Sequence, residues 1–252
     1  MNEKKILNEI IKTTKSISGE VEVIREYDTD LNSVYLVRSN DEKYIVKIAT
    51  CEARVVELNH EIKLLKKLLS AIRVPKVIES GQNEQVAWVV MEFIEGKKIE
   101  GFNNATLKKL GQTLRSLHDS QRHEDIDYSF LLNKARRNMV DGRLDKDEFY
   151  IDGKHIKPSE LLDWLDNNRP AGIKAKLLHG DFRPKNIIKK SDGIYLIDFG
   201  LSFFGDEYYD LAVFRYYLSD VKFKFFCKIY GIETIDEERF KYNEVLSKFL
   251  NV

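Results

Sequence analysis

The stretch His179-Gly180-Asp181-Phe182-Arg183-Pro184-Lys185-Asn186, followed by Ile194-Tyr195-Leu196-Ile197-Asp198-Phe199-Gly200, leaves this chain few folds to choose from. Lys176 to Leu178 is a short, mostly apolar run that leads into a polar turn. Ile187 to Lys189 is a second run, and Ser191-Asp192-Gly193 has the chemistry of a hairpin connection into Ile194 to Ile197. Asp181 and Asn186 therefore share one tight loop, and Asp198 arrives at the end of an adjacent strand. Asp and Asn are common in loops for turn chemistry alone. A D-x-x-x-x-N loop, a hairpin and then D-F-G, in that order, ask for more than turns.

The combination resembles the catalytic-loop and metal-loop pair of the protein-kinase-like enzymes. His179-Gly180-Asp181 carries Gly where protein kinases usually carry Arg, and Asp210-Leu211-Ala212 follows the D-F-G. These parts are similar to the aminoglycoside phosphotransferase and choline-kinase-like family, and their order covers nearly the whole chain. The resemblance implies an α+β, bilobal protein-kinase-like fold. Its N-lobe, residues 1–94, would be a small antiparallel β-sheet with one main helix, and its C-lobe, residues 95–252, larger and mostly helical.

A chain of 252 residues has room for two closely packed lobes. Lys+Arg and Asp+Glu both number 41, so the balance gives no reason to expect nucleic acid or an anionic membrane as partner. Cys51 and Cys227 lie far apart, each in an apparently helical stretch, and read as reduced thiols of a cytoplasmic protein. No apolar run approaches the ~18 residues of a membrane span.

The pattern along the chain agrees with the lobes. Residues 3–15 repeat apolar positions at helical spacing, and strands follow near 21–24, 34–37 and 44–46, the last two joined by Ser39-Asn40-Asp41. Residues 52–69 form a helix with Val55, Leu58, Ile62, Leu65 and Leu69 on one face, and strands recur near 77–78 and 86–93. Helices dominate after Gly96: 107–118, 130–139, 161–167, 208–218, 221–230 and 237–250. Asp152-Gly153 marks a hairpin over 149–156, read as an insertion.

On the nucleotide side, the resemblance assigns Lys47 to the phosphates and requires a carboxylate to hold it. Glu52, Glu57 and Glu61 compete; Glu61 is preferred because it lies beside the buried stripe of Ile62 and Leu65. The phosphate-covering loop falls at 27–33 and lacks glycine, which leaves Ser33 as a phosphate contact or a turn cap. Backbone groups of Glu92 and Ile94 would meet adenine, and Ile45 and Ile197 would close an apolar slot around it.

On the catalytic side, Asp181 would accept or orient the acceptor hydroxyl, and Arg183 would neutralise transferring charge. Asn186 and Asp198 would hold Mg2+ bridging the phosphates of ATP, with GTP possible. His179 and Asp210 are assigned structural roles. Only residues 199–209 separate Asp198 from Asp210 and no A-P-E follows, so a peptide-docking segment is missing. The implied function is ATP-dependent transfer of the γ-phosphate to a hydroxyl of an aminoglycoside-, choline- or sugar-like small molecule. Asp206 and Glu207, with neighbouring aromatics, would suit a cationic acceptor. The alternative is an atypical small protein kinase related to that of the tRNA-threonylcarbamoylation complex.

Overall fold

The computed structural model describes residues 3–17, 20–27, 32–83, 85–123, 125–144, 149–151 and 154–251. It is α+β, and the chain divides into two compact units, 1–97 with 188–200 and 98–187 with 201–252. A single cut at 94/95 was expected, but the hairpin after Asn186 belongs with the first unit. The physical reason is local: the Leu196 amide donates to the Arg73 carbonyl at 3.1 Å and the Arg73 guanidinium faces Asp192 at 3.7 Å.

In the first unit, α1 (Glu3–Thr13) precedes strands β1 (Val21–Tyr27), β2 (Ser33–Ser39) and β3 (Glu42–Ala49). Helix α2 (Glu52–Leu68), β4 (Val77–Gln82) and β5 (Ala87–Glu92) complete an antiparallel sheet of order β1-β2-β3-β5-β4. Asn40 and Asp41 both take positive φ, 49° and 65°, as a two-residue hairpin between right-twisted strands requires. Ile6, Leu7 and Ile10 of α1 cover one sheet face, burying Tyr35, Val37, Val46, Ile48 and Val90. Helix α2 buries Leu58, Ile62, Leu65 and Leu68. Leu69, assigned to that stripe from spacing, sits past the last turn and is 47% exposed.

The second unit begins near the short strand β6 (Lys97–Lys98) and carries α3 (Asn104–Ser120), β7 (Arg122–His123) and α4 (Tyr128–Val140). The β8 (Tyr150–Ile151) and β9 (Lys154–His155) hairpin, α5 (Pro158–Asn167) and β10 (Ala175–Leu178) follow. The hairpin of β11 (Ile187–Lys190) and β12 (Gly193–Leu196), which belongs with the first unit, comes next in the chain, and the second unit resumes with β13 (Phe203–Gly205), α6 (Tyr208–Arg215), α7 (Asp220–Tyr230) and α8 (Glu237–Leu250). Strand β10 pairs with β7 at its start, Ala175 and Lys176, and with β13 from Lys176 to Leu178, so the end that feeds His179 is held by β13. Asn103 and Asp236 cap α3 and α8 by accepting from the amides of Thr106 and Arg239. Among the described residues, no helix is long and apolar enough to cross a membrane.

Of the two cysteines, Cys227 is buried in α7 and burial pushes its thiol up to about 12. Cys51 corrects the sequence reading: it is exposed and stands at the N-cap of α2, not within a helix.

One aromatic cluster ties the second unit's fold to its catalytic loop. The Phe214 ring lies 5.2 Å from Phe102, 5.0 Å from Phe182 and 5.0 Å from Phe226, and Phe182 is the residue after Asp181. Aromatic pairs at these spacings contribute beyond their buried area. Replacing Phe214 by Ala removes a fully buried ring from all three contacts. The expected loss is about 3–5 kcal/mol in urea unfolding; a loss below about 1 kcal/mol would contradict this account of the core.

Candidate active site

Each compact unit carries one part of the candidate site. In the first, β3 brings Lys47 inward: its side chain is 9% exposed, between Glu61 on α2 and Asp198 after β12. Lys47 Nζ donates to Glu61 Oε2 and to Asp198 Oδ1, both at 2.8 Å. Burial alone would drive the lysine toward neutrality, but the Coulombic pull of Glu61 and Asp198 outweighs it and its pKa is raised. Glu61 is buried too, and burial moves its carboxyl upward against the opposing attraction of Lys47. Glu61 also accepts from the Phe199 amide at 3.2 Å, so one side chain fixes both Lys47 and the D-F-G segment. Among the competing carboxylates, Glu57 is turned to Arg54 at 2.6 Å and Glu52 opens the helix.

Asp198 adopts φ +66°, a left-handed conformation unusual for a residue other than Gly, and its side chain is 48% exposed. Ile45 and Ile197, the expected walls of the adenine slot, are each half-buried. Glu92 closes β5, and its amide donates to the Lys76 carbonyl at 3.0 Å. That leaves the amide committed within the fold, so of the two expected adenine-binding backbones only the Glu92 carbonyl and the Ile94 groups stay in question. Ser33 opens β2 opposite Ile48. Residues 28–31 of the expected phosphate-covering loop lie outside the described residues.

In the second unit, His179 to Asn186 form the catalytic loop, which ends in a single 3-10 turn over Pro184–Asn186. Asn186 Nδ2 donates to the Asp181 carbonyl at 3.0 Å and to Asp181 Oδ2 at 2.8 Å, leaving its amide oxygen as the atom it can offer a cation. Lys185 Nζ stands 3.0 Å from Oδ2. Arg183 Nε stands 2.8 Å from Oδ1. That approach lies off the N–H axis, for Oδ1 is buried without a hydrogen-bond donor. Asp181 thus has one oxygen hydrogen-bonded by Asn186 and the other facing the Arg183 charge without a hydrogen-bond donor. Arg183 also donates to the Asn251 carbonyl at 3.4 Å.

The loop is anchored from beneath. Asp210 on α6 is fully buried and accepts from the His179 amide at 2.7 Å and the Gly180 amide at 3.0 Å. Gly180 has φ +80°, and a Cβ there would meet the Leu201 carbonyl oxygen at 2.1 Å, so no other residue fits. His179, fully buried, accepts the Asp181 amide on Nδ1 at 3.3 Å.

Asp206 and Glu207 do not do what their sequence position suggested. Asp206 is buried and receives Arg239 through Nε at 3.0 Å and Nη2 at 2.7 Å, while Glu207 faces Lys176 at 3.4 Å and Arg239 at 3.6 Å. Neutralised inside the fold, neither is placed to read a cationic acceptor. Arg239 lies 33 residues beyond Asp206, and no local signal links them.

Asp198 in the first unit and Asn186 in the second each present a hard oxygen atom, the donor type that Mg2+ takes. Among the described residues, no group of three or more His, Cys, Asp or Glu forms an all-protein cage.

Comparison with known proteins agrees with the geometry. An aminoglycoside 3'-phosphotransferase of Niallia circulans is 26% identical over 209 residues, 76% of this chain and 78% of that protein. A crystal structure of an aminoglycoside-3'-phosphotransferase of type VIII superposes with a TM-score of 0.77 at 24% identity, covering 96% of this chain and 98% of the other. The aminoglycoside phosphotransferase APH(3'')-Id from Streptomyces rimosus ATCC10970, in complex with ADP and streptomycin, gives 0.77 at 20% identity over 99% of both chains. The profile of the phosphotransferase enzyme family (APH) matches residues 26–235, a span that takes in Lys47, Glu61, the Asp181 loop, Asp198 and Asp210. The fold, the order of the motifs and this match together show that the chain belongs to the phosphotransferase enzyme family.

Proposed function

We propose that this phosphotransferase moves the γ-phosphate of ATP, with GTP as a possible alternative, to a hydroxyl of a small molecule, with Asp181 receiving the hydroxyl proton. The observation that carries the reading is the unsatisfied, buried Oδ1 of Asp181. Oδ2 is occupied by Asn186 and Lys185, so Oδ1 is the atom available to orient an alcohol. Arg183, already against that oxygen, would turn to the transferring phosphoryl as its negative charge arrives.

Lys47, held by Glu61, would contact the nucleotide phosphates. Asn186 and Asp198 would hold Mg2+, which when bound neutralises phosphate charge. Ile45, Ile197, Glu92 and Ile94 would form the adenine site, and Ser33 a phosphate contact. The acceptor class, aminoglycoside-, choline- or sugar-like, follows from the relatives and the short segment after Asp198. A cationic acceptor would need carboxylates other than Asp206 and Glu207, since those are engaged with Arg239 and Lys176.

Two measurements test this reading. Asp181→Asn keeps the shape but cannot take the proton; acceptor-dependent ADP release should fall ~10²–10⁴-fold while nucleotide affinity stays within a few fold. Turnover near that of the parent would remove Asp181 from the mechanism. Asp198→Ala should abolish the magnesium-dependent part of ATP affinity, followed by calorimetry at graded magnesium. An unchanged magnesium titration would show that Asp198 is no ligand.

Asp206→Asn serves as a structural control. It breaks a buried ion pair, so it should lower stability by about 3–5 kcal/mol in urea unfolding while the KM of any active acceptor changes little. A selective rise in that KM at unchanged stability would restore Asp206 to the acceptor site.

A further inference from the structure

Behind Asp210 lies a chain of buried polar groups for which phosphoryl transfer as described has no use. His118, in the last turn of α3, is fully buried, with Nε2 at 2.9 Å from Asp210 Oδ2 and Nδ1 at 2.8 Å from the Tyr230 hydroxyl. Asp210 already accepts the amides of His179 and Gly180. Tyr230 is itself fixed: it ends α7 before Gly231 at φ +111°, and its carbonyl accepts from Arg115 Nη1 at 3.0 Å. Its ring lies edge-on to His118 with centroids 5.5 Å apart.

The donors and acceptors can be assigned. The Asp210 carboxylate only accepts, so His118 must present Nε2–H to it. A neutral imidazole with its proton on Nε2 has a lone pair on Nδ1, and the Tyr230 hydroxyl is the donor that reaches it. Burial raises the Tyr230 pKa and keeps that hydroxyl protonated. Were Tyr230 absent, Nδ1 would be a buried acceptor without a donor, and the His118 ring would be held at one nitrogen instead of two.

We propose that Tyr230 is a positioning residue of the phosphotransfer site: its O–H anchors the second nitrogen of the His118 ring, His118 orients Asp210, and Asp210 sets the two amides that precede Asp181. The relay runs from the C-terminus of α7 through α3 and α6 to the catalytic loop, entirely within the second unit. It rests on the reading of Asp181 as the proton acceptor only for its effect on turnover. Its effect on the loop is independent of that reading.

The test is Tyr230→Phe, which keeps the ring and removes the donor. Nitrogen NMR of the imidazole should report the Nε2–H form of His118 in the parent with Nδ1 hydrogen-bonded, and in the variant an Nδ1 resonance shifted to that of a free lone pair. Amide hydrogen exchange at His179 and Gly180 should quicken several-fold to about tenfold, the worth of one buried hydrogen bond. ADP release with ATP and magnesium should lose about three- to tenfold in kcat, with the KM for ATP within about twofold. An unchanged Nδ1 resonance, or unchanged protection of both amides, would overturn the proposal, as would a parental kcat.

If Tyr230→Phe does not fold, His118→Gln and His118→Leu decide. The amide of Gln can still donate to Asp210 and should keep His179 and Gly180 protected, whereas Leu should not. Equal exchange in the two would overturn the relay. A parent enzyme that releases no ADP would count against the phosphotransfer reading alone, because the Nδ1 resonance and exchange are measured without turnover.

Discussion

A single buried carboxylate, that of Asp210, is the constraint on which the catalytic loop depends. A charge taken out of water is costly unless its lone pairs are filled. Asp210 fills them with the His179 amide, the Gly180 amide and His118 Nε2. The loop is therefore bent tightly over α6, with Gly180 pressed so close to the Leu201 carbonyl that a single methyl group would not fit. Asp181 is rigid because its two preceding amides are held by a side chain that cannot release them without stranding its own charge.

The two units handle buried charge in opposite ways. In the first, one cation is shared by two carboxylates, Glu61 and Asp198, and its proton is held more tightly for it. In the second, one carboxylate, Asp181, is faced by two cations, Arg183 and Lys185. Each set leaves one charge uncompensated, negative in the first unit and positive in the second. In the proposed reading phosphates would compete for Lys47 and Arg183, and a divalent cation for Asp198.

Much of this was legible in the sequence, for physical reasons that differ by residue. The spacing of Asp181, Asn186 and Asp198 reads because loop, hairpin and strand end are short-range structures with their own turn chemistry. Glu61 could be preferred over Glu57 because it lies beside Ile62 and Leu65 of the buried stripe and matches the E-x-x-x-L pattern of the family it resembles. What did not read is what depends on long-range packing. Asp206 and Glu207 look like an acidic wall until α8 delivers Arg239 to them, and Tyr230 looks like an ordinary helical aromatic until α7 sets it against α3. The boundary at 94/95 missed the return of residues 188–200 for the same reason: Arg73 and Asp192 are distant in sequence.

The central claim is that the γ-phosphate passes to a small alcohol held at Asp181. Its most direct test uses ATP labelled in the γ-phosphate with magnesium, the purified protein, and separate panels of hydroxylated small molecules and generic protein acceptors. The account predicts label covalently attached to one or more small molecules, with none above background on protein. Label found only on protein, with every small alcohol inert, would contradict it and favour an atypical protein kinase.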